Sequence, residues 1–121
     1  LNKDENTVFK TLVTVGKSKE HYVFVIPVNR ELDLKKASKS VSEKNISMVK
    51  SRDLLALTGY IHGGCSPIGM KKLFKIVFHD TVNELDTITF SAGKIGYQVE
   101  LSTQDLPKAI DFSMANICAE E

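Results

Sequence analysis

The sequence has no tryptophan, three prolines and only two cysteines, Cys65 and Cys118, in 121 residues. Two cysteines without a CxxC pair make neither a disulfide framework nor a structural zinc knot. His21, His62 and His79 lack HxH and HxxxH spacing, so no metal site is written into the chain. No apolar run approaches the ~20 residues of a membrane helix, and no signal peptide is visible, which points to the cytoplasm and to no membrane partner. A dominant charge is also missing. Sixteen basic against fifteen acidic residues leave +1, which gives no global drive toward nucleic acid. Gly69-Met70-Lys71-Lys72 does not complete a GxxxxGK[ST] phosphate loop. Nothing near Ser66 supplies a Ser/His/Asp set, and no repeat or low-complexity tract appears.

What remains is an ordinary globular composition, 42% hydrophobic and 26% charged, sized for one domain spanning residues 1–121. Thr7–Val15 and His21–Val28 are rich in β-branched and apolar residues around the turn Gly16-Lys17-Ser18-Lys19, which predicts a hairpin. Pro27 belongs at a strand edge or terminus. Asp33 can cap a helix whose apolar positions are Leu34, Ala37 and Val41. A short extended piece follows at Ile46–Val49, then a helix over Asp53–Leu57. Leu73–His79 reads as a buried strand and Asp80–Glu84 as its turn. Thr87–Ser91 and Tyr97–Leu101 flank Gly93–Gly96 as a second hairpin. Ser102 with Asp105 resembles a helix-starting cap, and Phe112–Cys118 is apolar enough to dock. Mostly hairpin-connected strands with a few helices predict a mixed α/β (α+β) fold rather than a doubly wound sheet.

Three places could carry chemistry. Lys10 is the lone charge in Val8-Phe9-Lys10-Thr11-Leu12-Val13. On an alternating strand it shares a side with Val8 and Leu12, where its ammonium could meet a carbonyl or phosphate oxygen. A lysine snorkelling from an edge strand accounts for it equally. Gly63 and Gly64, in Tyr60–Gly69, could present backbone donors without a Cβ in the way, or simply order a turn. Ser91 and Gly93 offer a hydroxyl and an amide at a second turn. Cys65, beside the glycine pair, has no local base and reads as a small wall residue. Cys118 reads as core.

Val8–Val13, Gly59–Gly69 and Phe90–Gly96, taken together and in this order, resemble the YbaK/EbsC-type aminoacyl-tRNA deacylases. These are relatives of the editing domain inserted in bacterial prolyl-tRNA synthetases. The resemblance runs from about Thr7 to the end, with Val25–Val28 and Leu32–Lys35 also fitting. It implies an editing fold built on a central, largely antiparallel, barrel-like sheet with packed helices, needing no cofactor and no metal. It implies that Lys10 is the functional lysine and that Thr11, Gly63, Gly64, Ser91 and Gly93 bind substrate, with Cys65 and Gln98 as further pocket-wall positions. Gln98 stands where some members carry aspartate. The implied reaction is hydrolysis of the ester on a mischarged tRNA, with Cys-tRNA(Pro) first. Alanyl or another small aminoacyl-tRNA is the alternative, and a non-catalytic tRNA- or synthetase-binding module using Lys35, Lys36, Lys39, Lys71 and Lys72 is a third reading. The partners implied are the aminoacyl-tRNA acceptor end and prolyl-tRNA synthetase. Because the chain starts at Leu1, the resemblance also implies an N-terminal segment that this sequence lacks. Oligomeric state is left open.

Overall fold

The computed structural model describes residues 5–50, 52–53, 74–91 and 98–120. The expected helix over Asp53–Leu57 and turn over Gly93–Gly96 lie largely outside these residues. β1 (Phe9–Gly16) and β2 (His21–Pro27) form the predicted hairpin, in antiparallel register from Phe9↔Pro27 to Val15↔His21. Pro27 ends β2, where its missing N–H costs no ladder bond. β3 (Ile46–Met48) adds antiparallel to the other side of β1.

β4 (Lys75–His79) and β7 (Ser113–Ala115) extend this sheet to the order β3-β1-β2-β4-β7. Both added pairings, β2 with β4 and β4 with β7, are parallel. β5 (Thr87–Ser91) and β6 (Gln98–Ser102) form a separate antiparallel pair. Antiparallel pairing therefore holds within the hairpins, and long-range contacts supply the parallel part. A parallel bridge between Val8 and Thr89 joins the two sheets beside the start of β1.

The first helix, α1 (Leu34–Ser40), starts as the sequence predicts: the Asp33 carboxylate accepts from the backbone N–H of Lys35 and Lys36. Those bonds, together with the neighbouring lysines, hold its pKa below the usual carboxylate value. The second helix corrects the sequence reading. Ser102 ends β6 and its hydroxyl accepts from the Gln104 N–H, so it serves a turn. α2 (Leu106–Ala109) begins after Asp105, with Pro107 in its first turn, where no N–H is needed.

The sheet separates two apolar clusters. On one face Phe9, Val13, Val23, Val25 and Phe78 meet Ile88, Phe90 and Leu106. On the other, Phe24, Ile26 and Val77 meet Ala37 and Val41, with Ile117 and Cys118 from the tail. Alternation along β1 and β2 sorts these residues, odd numbers to the first face and even to the second. Each fully buried Phe or Ile contributes about 1.5–3 kcal/mol through apolar area removed from water.

The tail docks as its composition predicts. Cys118 bridges to Leu32, the Asp33 N–H reaches the Ile117 carbonyl, and the Ala119 N–H reaches that of Glu31. Arg30 donates to the Ala119 carbonyl, while Lys36 donates to the Cys118 carbonyl and pairs with Glu120 at 2.9 Å. Among the described residues no helix is long and apolar enough to cross a membrane.

Candidate active site

Lys10 is the second residue of β1, opposite Ile26 of β2. Their shared face is the even one, where Ile26 is fully buried and Leu12 packs against the same cluster. The lysine stem therefore runs along apolar surface while the residue itself is half-buried. Its ammonium makes no hydrogen bond or ion pair with another described residue.

The bridge between Val8 and Thr89 sets the second side. Bridged residues in parallel segments point the same way, so Lys10 and Ser91, each two residues further on, occupy matching positions on one face. Ser91 is in turn directly opposite Gln98 in the β5–β6 register. By alternation Lys10 faces away from Phe9, and Ser91 and Gln98 face away from Phe90. The Ser91 Oγ is buried and has no hydrogen-bond partner among the described residues. Such a hydroxyl costs about 1–3 kcal/mol unless something binds it. A cation and an unsatisfied hydroxyl on one face suit an ester carbonyl or a ribose hydroxyl.

Thr11 goes elsewhere. It pairs with Val25, and its side chain leaves by the opposite face, with Phe9 and Val13. Its Oγ1 is also buried without a partner, as is that of Thr81. Alternation puts Lys10, Ser91 and Gln98 on one side of their strands and sends Thr11 to the other. Gly63, Gly64, Cys65 and Gly93 lie outside the described residues.

A second group, Cys118 and His79, lies where the tail docks; Cys118 is the core residue that the sequence predicts, whereas the sequence does not single out His79. Cys118 is fully buried, and loss of solvent pushes its thiol up to about 11. The charges of Arg30, Lys10 and Lys36 oppose that rise and Asp80 adds to it. The thiol stays protonated and acts as core. His79, also buried, accepts the Ile117 N–H through Nδ1. Burial holds its pKa below the ordinary value. Only its place as a polar residue at the end of an apolar strand hints at this. Among the described residues no three His, Cys, Asp or Glu side chains gather to hold a metal ion.

Comparison with known proteins identifies the family. Residues 1–109 match the model of the aminoacyl-tRNA editing domain. The chain is 44% identical over all 121 residues to a protein of Enterococcus faecalis assigned as the Cys-tRNA(Pro)/Cys-tRNA(Cys) deacylase EbsC, covering 74% of it. A structure described as a trans-editing enzyme for prolyl-tRNA synthetase superimposes with a TM-score of 0.85. The match has 20% identity and covers 97% of this chain and 73% of that one. A scaffold used for epitope backbone grafting gives a TM-score of 0.89 at 19% identity, covering 98% of this chain and 75% of the other. The two structures establish the fold, and the sequence matches establish the lineage. The chain belongs to the aminoacyl-tRNA editing domain family and is an aminoacyl-tRNA deacylase of the YbaK/EbsC type.

Proposed function

We propose that this deacylase acts on tRNA carrying the wrong amino acid, with Cys-tRNA(Pro) as its principal substrate, and that Lys10 is its catalytic residue. The observation that carries the lysine's role is an ammonium without a partner among the described residues, on the side of its strand that matches the buried Ser91 hydroxyl. The relative assigned to Cys-tRNA supports the choice of amino acid.

In this reading Lys10 stabilises the negative charge that develops on the ester carbonyl oxygen. The Ser91 hydroxyl holds the acyl group or ribose in place, and Gln98 borders the acyl side. Gly63, Gly64 and Gly93 would supply backbone donors, and Cys65 would form wall. Thr11 would reach substrate only from the far face of β1. Placement then contributes most of the acceleration. With a cysteinyl ester, the substrate's own sulfur attacks the carbonyl carbon and the ester C–O bond breaks. The thiol proton passes to the departing ribose oxygen, and a cyclic thiolactone leaves. With an alanyl ester, water is the nucleophile and the neighbouring ribose hydroxyl assists it. Prolyl-tRNA synthetase is the partner that would present such errors.

A panel of Cys-, Ala-, Ser- and Pro-charged tRNAs tests the substrate. Fastest release from Cys-tRNA(Pro) is expected. Preference for alanine with negligible cysteine release would overturn that choice.

A further inference from the structure

The β1–β2 turn projects at the end of β1 remote from Lys10, about 20 Å along the strand at ~3.3 Å per residue. There the fold gathers lysines that the sequence keeps far apart. The Lys17 N–H bonds the Asn45 carbonyl, which brings the turn of Lys17 and Lys19 beside Lys44. The Glu43 N–H bonds the Ser38 carbonyl, so Lys39 at the end of α1 joins them. Lys50 lies past the other end of β3, since Ile46 pairs with Gly16 and the Val49 N–H bonds the Val13 carbonyl; it sits further along β1 toward Lys10, across the cleft from the turn. All five lysines are exposed, and none pairs with a described carboxylate.

The carboxylate nearest the turn is occupied in another way. Glu43 accepts from the Ser18 hydroxyl, the Ser18 N–H and the Tyr22 hydroxyl, all neutral donors. Those bonds hold its pKa below the usual value, so it stays charged while its oxygens remain unavailable to the lysines. Among the described residues, Glu20 follows the turn and Asp53, whose N–H bonds the Lys50 carbonyl, lies at the cleft. An open cleft of about 540 Å³ lies alongside, with Val15, Met48 and Val49 as apolar walls and His21, Lys50 and Asp53 at its polar margin. The His21 ring stands 5.7 Å from that of Phe74.

We infer that this end of the molecule binds the RNA backbone, with Lys17, Lys19, Lys44 and Lys50 contacting phosphates on either side of the cleft. The inference rests on the editing reading for the RNA being tRNA. Unpaired cations beside an apolar groove suit a strand that offers phosphates and base faces together. The separation from Lys10 lets the acceptor terminus reach the lysine while upstream phosphates meet the turn. The lysine face of α1 suits this role less, because Lys36 is held by Glu120 and the Cys118 carbonyl.

The test is a salt titration of binding to uncharged tRNA, comparing the native protein with the triple variant Lys17→Gln/Lys19→Gln/Lys44→Gln and a control, Lys35→Gln/Lys108→Gln. The triple variant should bind at least tenfold more weakly at low salt. Its slope of log affinity against log salt should fall by about 2–3, near 0.9 per lost phosphate contact. The control should match the native protein. Hydrolysis of a short aminoacyl-adenosine ester should be unchanged in the triple variant. Unaltered tRNA affinity and slope in the triple variant would overturn the surface while leaving the editing reading intact. Lost tRNA binding in a protein that cleaves neither ester would support the surface and remove the editing reading. Polyglutamate competing as well as tRNA at equal charge would show a general acidic-partner face and overturn the RNA assignment.

Discussion

His79 accepts the backbone N–H of Ile117 through Nδ1 at 3.2 Å, tying the C-terminal tail to the end of β4. The bond needs an unprotonated Nδ1, so the ring carries its proton on Nε2, 3.7 Å from an Asp80 carboxylate oxygen. Burial lowers the pKa from the ordinary 6.5; Asp80 and Glu84 oppose the shift, while Arg30 and Lys36 add to it.

The sign of the pH dependence follows. Above 6.5 both folded and unfolded chains hold a neutral ring, and the contribution is fully present. As pH falls through 6.5 toward the lower folded value, the unfolded chain takes up the proton first, and stability declines. His79→Asn keeps an acceptor for Ile117 without titrating. Urea midpoints at pH 7.5 and 5.5 should fall more for the native protein than for this variant. Equal losses would show that His79 is not the titrating group.

Ser91 separates binding from folding. Ser91→Ala removes a buried hydroxyl that no described residue satisfies. Stability should stay level or rise by up to about 1 kcal/mol, while deacylation falls several-fold. Thermal unfolding and single-turnover rates read the two effects. A parallel loss of both would make Ser91 a structural residue.

Glu43 connects the turn to its charge. Its hydrogen bond to the Tyr22 hydroxyl, with burial and the adjacent negative charge, raises the phenol's pKa above 10.0. Its carboxylate also occupies the space that a side chain at Gly16 would need. Glu43→Gln keeps one acceptor oxygen for the two hydroxyls and removes the charge. Spectrophotometric titration should show Tyr22 ionising at lower pH, and tRNA affinity at low salt should rise a few-fold. An unchanged tyrosine titration would contradict this arrangement.

The hairpin, the Asp33 cap and the apolar tail were legible because each rests on local pattern: β-branched runs, a carboxylate before a helical repeat, and apolar residues near the end. The parallel pairing of β4 with β2 was not, since Val77 meets Phe24 only through long-range contacts. Ser102 misled because a serine hydroxyl suits a turn and a helix cap equally well. The site was half legible. Lys10 stood out as a lone charge in an apolar strand, yet family resemblance grouped it with Thr11, which strand alternation sends to the opposite face. The meeting of Lys17 with Lys44 had no local signal, because it depends on β3 returning beside β1.

The most direct measurement is the single-turnover rate of Cys-tRNA(Pro) deacylation by the native protein and by Lys10→Ala, both confirmed folded by their melting temperatures. Lys10 has no hydrogen bond or ion pair with another described residue. If its ammonium stabilises the developing carbonyl charge, the variant should be slower by at least tenfold, about 1.4 kcal/mol of transition-state stabilisation. Its stability should change little. Equal rates for the two proteins would contradict the catalytic role of Lys10.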